Sequence, residues 1–243
     1  MATSSTPVQT GNAGARPEVS LLRDCLAGVV AALPIVLGYI PIGLAFGVGA
    51  AEKGIGPAAV GLMSLFVFAG ASQFVAVNML AAGATAGAIV STTFLVNLRH
   101  LLMSAALGSH VRGWPTRRLL AAAFWLTDES FAVLSSGLAT GRLESPLRPA
   151  FVLSLQAAAY ISWVGSTFLG ALLYNLVTNG GAFDVRGFGF DLTLPAMFAG
   201  LLALQLRQRS ARQAAVVAAL VTSLTLQLGL DSWARTRPEL VTL

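Results

Sequence analysis

The sequence predicts an all-α, polytopic helical membrane protein with about seven hydrophobic segments, some of them broken or re-entrant, and three observations carry that reading. Of the 243 residues 56% are hydrophobic and only 10% are charged, whereas soluble domains carry roughly 25% charged residues. The apolar runs reach about 20 residues, enough to cross a hydrocarbon core as helices, and lack the short alternating segments of a membrane barrel. Proline, glycine and ionisable residues also fall inside these runs, not only between them.

Residues 1–23, rich in Ser, Thr, Pro, Gly and Ala, read as a disordered polar tail. They lack the basic-then-apolar order of a cleaved secretory signal, so the first apolar run is a retained span. Residues 24–230 read as one transmembrane domain and 231–243 as a short C-terminal tail. Within it, apolar segments are drawn at 24–51, 57–82, 84–108, 117–139, 149–177, 189–206 and 213–230, with Pro, Gly and charged clusters as punctuation. The connectors leave no room for a soluble domain.

The net charge of +5 comes from arginines in short connectors, which fits topology signals in a lipid-embedded chain and not a nucleic-acid surface. One cysteine, Cys25, allows no internal disulfide, and nothing near it has ligand spacing. No metal, cofactor or catalytic residue is assigned. Counting Lys and Arg over seven alternating crossings, with Arg99 left out, puts seven on each side. Simple alternation therefore gives no orientation, and at least one segment is expected to be re-entrant or broken. Non-helical backbone at membrane depth survives only where protein or a water-filled cavity covers it, so a break marks a pathway.

In the first segment Pro34, Gly38, Pro41 and Gly43 are the candidate helix breaks. Pro34 and Pro41 cannot donate to the carbonyls of Val30 and Leu37, freeing acceptors for a cation or ammonium group; a kinked but ordinary span is the alternative. In the second, Phe66 to Phe74 puts Gly70, Ala71, Ser72 and Gln73 in mid-span. These residues either permit close helix approach or start a new helix whose free N–H groups face an anion. The amide of Gln73 favours a site.

The third and fourth segments carry Asn97, Arg99, His100, Asp128 and Glu129 deep in apolar sequence. A charge at the bilayer centre costs roughly 2.5–3.5 kcal/mol on insertion scales, against a gain of about 0.3–0.6 per Leu or Phe, so these groups are expected to serve a polar path. Asn97, His100 and Ser104 share a helical face. Arg99 needs a carboxylate, either a substrate's or that of Asp128 or Glu129, unless it snorkels from a span that ends at residue 97. His100 is read either as a proton relay or as a neutral hydrogen-bonding residue. Asp128 and Glu129 lie about 100° apart on a helix, so one is expected to pair with Arg99 while the other binds substrate or proton. Gln156, Tyr160 and Trp163 line the fifth segment or make bundle contacts, and Asp191 reads as a helix cap.

The runs Tyr39 to Gly47, Met63 to Phe74, Asn97 to Ser104 and Thr127 to Phe131 together resemble the AzlC family over about residues 25–205. The resemblance implies the large subunit of a branched-chain amino acid transporter, commonly an exporter, in the bacterial inner membrane. It also implies a small hydrophobic AzlD-type membrane partner and valine, leucine or isoleucine as substrates, with methionine in some members. A zwitterion needs a cationic or N–H-rich site, an anionic or carbonyl site and an apolar pocket. Substrate binding is accordingly expected at Gly70, Ser72, Gln73, Asn97, Arg99, Asp128 and Glu129, with proton coupling through a carboxylate or His100. Two other classes stay open: a non-transporting structural or assembly subunit, and an intramembrane hydrolase using Ser72 and His100. Against the latter, Phe74 stands where a Gly-x-Ser-x-Gly elbow needs its second glycine.

Overall fold

A computed structural model describes the backbone of residues 17–179 and the side chains of 21–177; the segments drawn at 189–206 and 213–230, both tails beyond these limits and Asp191 lie outside the described residues. The described chain contains α1 (Pro17–Glu52), α2 (Pro57–Val67), α3 (Gly70–Ala81), α4 (Ala86–Gly108), α5 (Thr116–Phe124), α6 (Asp128–Ala139) and α7 (Pro149–Asn179). Three stretches are long and apolar enough to span a membrane: Leu21–Glu52, Ala86–Val111 and Pro149–Val177.

α1 and α7 pack along a seam of small residues. A β-carbon added at Gly28 would meet Phe151 and Ser154, one at Gly43 would meet Ser166, and one at Gly47 would meet Thr167 and Ala171. The numbers rise together, so the two helices run parallel. Small residues bring backbones close in a setting where lipid removes the hydrophobic drive and packing must replace it.

The second and fourth segments are helical hairpins. α2 and α3 have 11 and 12 residues, or about 17 Å each at 1.5 Å per residue, roughly half a ~30 Å hydrocarbon core. Their pairing shows a return: Gln73 donates to Ser64, and Val60 and Val77 lie in one cluster with Phe46, Ala50 and Ala171, near the C-terminal ends of α1 and α7. The turn is Phe68, left-handed at φ 41°, and it packs on Tyr39, Leu155, Ala159 and Trp163, about halfway along those helices.

α5 and α6, with 9 and 12 residues, turn at Trp125, Leu126 and Thr127. The connectors on either side of this hairpin meet each other, because the Leu147 amide donates to the His110 carbonyl and the Trp114 indole donates to the Leu147 carbonyl. This hairpin therefore enters from the opposite end, beside the N-terminus of α7, and returns there. Among the described residues, two re-entrant hairpins thus lie with three helices long and apolar enough to cross. Arg23, Arg112, Arg117, Arg118, Arg142 and Arg148 lie at the end where α1 and α7 begin, and among the described residues Lys53 alone lies at the other. Among the described residues the alternation behind the even split fails, because the segments drawn at 57–82 and 117–139 each return to the end they came from.

The expected helix break at Pro34, Gly38, Pro41 and Gly43 is corrected: α1 runs through all four. Pro34 and Pro41 sit on its exposed face and Gly43 on the α7 seam. The rings point away from the packed face, so the missing N–H groups leave the contacts with α7 intact, and the helix persists through the prolines.

Candidate functional site

The breaks bring backbone ends to mid-membrane. α3 begins at Gly70 with no acidic residue in its first turn and no side-chain cap. Its unpaired N–H groups and positive dipole end are therefore left unneutralised from within the helix. α6 begins differently. Thr127 and Ser130 form a reciprocal cap, and Asp128 and Glu129 occupy the first turn, where the dipole favours negative charge.

The acidic pair separates as the helix geometry requires. Asp128 takes Arg99 at 2.8 Å, and Glu129 accepts from the Tyr39 hydroxyl at 2.5 Å. Tyr39 also lies 3.1 Å from Thr127 Oγ1, which ties α1 to the turn of the second hairpin. Among the described residues no cation lies within ion-pair distance of Glu129. His100 is half-buried on α4, facing the Asn97 carbonyl, with Arg99 and Asp128 as its charged neighbours.

α4 lies between the two hairpins and touches both. Asn97 accepts from Ser72 on α3 at 2.5 Å, and Arg99, two residues on, turns toward α6. Ser72 thus pairs with Asn97. Gly70 abuts the Trp163 ring, where an added β-carbon would come within 3.0 Å, and Trp163 stacks edge-on against Tyr39 at 5.2 Å between centroids. Gly70, Trp163, Tyr39 and Glu129 therefore form a continuous line from one hairpin turn to the other.

Gln73 meets this line at Trp163. It is fully buried, donates to Ser64 at 2.8 Å and accepts from the Trp163 indole at 2.9 Å, while Thr167 donates to Ser64 at 2.8 Å. The amide fastens the α2–α3 hairpin to α7. Pro34, Gly38, Pro41 and Gly43 do not join the cluster; Leu37, whose carbonyl Pro41 frees, is 70% exposed on the outer face of α1.

Sequence reasoning missed Tyr39, Ser64 and Thr167 as partners and the cap made by Thr127 and Ser130. Tyr39 could have been found from helical periodicity, since Ala32, Ile35, Tyr39, Gly43 and Phe46 share the buried face of α1. Thr127 three residues before Ser130 is a variant of the capping-box spacing.

Comparison with known proteins supplies the remaining observations. The AzlC protein family model matches residues 34–177. The chain is 32% identical over 200 residues to the inner membrane protein YgaZ of Escherichia coli, covering 82% of this chain and 79% of that protein. It is 34% identical to an uncharacterized membrane protein of Archaeoglobus fulgidus, covering 77% and 78% of the two chains. It is 26% identical to the branched-chain amino acid transport protein AzlC of Bacillus subtilis, covering 66% and 60%. No solved structure matches the chain.

Proposed function

Since the chain belongs to the AzlC family of membrane transport proteins, we propose that it moves branched-chain amino acids such as valine, leucine and isoleucine across the inner membrane, as an exporter working with a small AzlD-type subunit. The observation that carries the reading is that an uncapped helix start, at Gly70 to Ser72, and an acidic helix start, at Asp128 and Glu129, are linked through Trp163 and Tyr39 and through α4, about halfway along α1 and α7.

A zwitterion matches this pair of ends. The substrate carboxylate goes to the N–H groups opening α3, with the Arg99 guanidinium nearby on α4. The ammonium goes to Glu129, because the charge of Asp128 is already met by Arg99. The aliphatic side chain lies against the aromatic line of Tyr39, Trp163 and Phe68, which provides apolar area with few hydrogen-bond demands. Ser72 and Asn97 hold the α3 start against α4, and Gln73 fastens the hairpin to α7. Glu129 and His100 are the groups through which a proton would be coupled.

The test is counterflow of labelled valine in proteoliposomes, with and without a pH gradient and the small partner. Saturable flux, competed by leucine and isoleucine, is expected. Absence of saturable flux under every condition removes the transport reading in favour of a structural or assembly subunit.

A further inference from the structure

We propose that the α5–α6 hairpin is the moving gate of this protein and opens toward the cytoplasm, while the α2–α3 hairpin is a fixed wall. The inference rests on the transport reading only for what passes the gate.

Orientation comes from charge. The six arginines at the end where α1 and α7 begin, against Lys53 at the other, place that end in the cytoplasm, because Lys and Arg near span ends set topology. The α5–α6 hairpin enters from this end and the α2–α3 hairpin from outside.

The two hairpins are held differently. The outer one is fastened by Ser64, Gln73, Trp163 and Thr167, all at 2% exposure or less and joined by hydrogen bonds of 2.8–2.9 Å. Pulling it away would leave several buried polar groups unpaired, a penalty that a satisfied network otherwise avoids. In addition, Gly61 abuts Phe168 and Gly70 abuts Trp163, so the backbone lies close on α7.

The inner hairpin is tied at its turn, by Tyr39 to Glu129 and Thr127 and by Arg99 to Asp128, but its polar fastenings are incomplete. Gln156 on α7 donates to the Ala122 carbonyl at 3.0 Å, yet its Oε1 is buried with no partner among the described residues. Arg99 holds Asp128 through one nitrogen while its Nε is likewise buried with no partner among the described residues. Water reaching these two atoms would satisfy them, so opening offsets part of its own cost. A cavity of about 350 Å³, lined by Leu107, His110, Phe131, Ser135 and Leu138 among others, runs between α4 and α6, so this hairpin has space on one flank and the other has a locked seam.

The experiment uses the full-length chain with Cys25→Ser and one new cysteine at each hairpin turn, Leu126→Cys or Ala69→Cys. Both turn residues are 4% exposed in this structure, so a static molecule would protect both. A membrane-impermeant maleimide is applied to inside-out and right-side-out vesicles. Leu126→Cys is expected to react at least tenfold faster from the cytoplasmic face than from the outer face, and Ala69→Cys to resist both. Protection of Leu126→Cys on both faces, faster reaction from outside, or ready labelling of Ala69→Cys overturns the proposal.

A second measurement locks each hairpin in turn. A β-carbon at Gly61 would lie 3.8 Å from that of Phe168, a separation that suits a disulfide. Oxidised Gly61→Cys/Phe168→Cys is expected to keep valine counterflow within twofold of the parent, while Ala122→Cys/Gln156→Cys bridged by a short reducible linker loses it at least tenfold and regains it on reduction. Loss of counterflow in the first pair, or its retention in the bridged second, overturns the gate. Absence of counterflow in the parent removes the transport reading alone, because the labelling contrast needs no substrate.

Discussion

Arg99 on α4 holds Asp128, the first residue of α6, at 2.8 Å, and the two side chains keep 31% and 29% of their surface exposed. The pair sits halfway along a helix long enough to cross the membrane, so it bridges two elements at the depth where an isolated charge is most costly. Removing one partner of a fully buried pair costs about 3–5 kcal/mol, and the partial exposure here reduces that to about 1–3. Asp128→Asn should therefore lower the yield of folded protein and cut counterflow by at least tenfold. The exchange Arg99→Asp with Asp128→Arg separates two roles: it should restore yield but not counterflow, since the substrate carboxylate then meets an anion. Restoration of both, measured in the same proteoliposomes, would assign the pair to structure alone.

Tyr39 joins α1 to the acidic start of α6 through one hydroxyl, 2.5 Å from Glu129 and 3.1 Å from Thr127. Tyr39→Phe retains the ring against Trp163 and loses the bond to a carboxylate, worth about 1.5–3 kcal/mol for a charged acceptor. A lower melting temperature in detergent and a roughly tenfold fall in counterflow are expected. Counterflow and melting temperature both equal to the parent's would show that the hydroxyl is dispensable.

Gln73 is expected to behave as a fastening and not as a ligand. Gln73→Leu keeps the volume, strands the Trp163 indole N–H and leaves Ser64 with Thr167 as its remaining partner, at about 1–3 kcal/mol for the buried group left unpaired. Thermal unfolding should fall accordingly, while the KM for valine of the protein that folds stays within twofold of the parent. A large rise in KM at unchanged melting temperature would return Gln73 to the substrate site.

The sequence made the chemistry of the site more legible than its path through the membrane. That Asp128 and Glu129 diverge follows from 100° per residue, and the small and polar residues near Gly70 give a new helix start as one of two readings, close helix approach being the other. The turn-back does not follow: residues 57–82 have the same length and hydropathy whether they form one crossing helix or two half-helices. Only tertiary pairing, such as Ser64 with Gln73 nine residues on, distinguishes them. The charge count inherits this ambiguity, because taking 57–82 as a crossing puts Lys53 on the same side as Arg112, Arg117 and Arg118. The prolines misled for a related reason, since a missing N–H on an exposed helix face kinks at little cost to packing, whereas the break at Phe68 has no proline at all. The partners of Gln73 lie on other helices, Ser64 on α2 and Trp163 on α7, and a linear reading cannot bring them together.

The α1–α7 seam gives a test in which two glycines of one helix part ways. A β-carbon at Gly47 would come within 2.1 Å of the Thr167 carbonyl and 2.6 Å of the Ala171 amide, whereas one at Gly38 meets nothing within 4 Å. The Gly47 neighbours are backbone atoms of α7 and cannot rotate aside, so Gly47→Ala must push the helices apart and disturb every contact on the seam. Gly38→Ala adds a methyl to open space and removes a poor helix former, a change worth about 0.8–1.0 kcal/mol in favour of the helix. Fluorescence size-exclusion melting should show Gly47→Ala unfolding well below the parent and Gly38→Ala at or slightly above it. Equal melting of the two variants would mean that α1 and α7 do not approach closely at Gly47, and with that the parallel pairing on which both hairpins are hung would have to be redrawn.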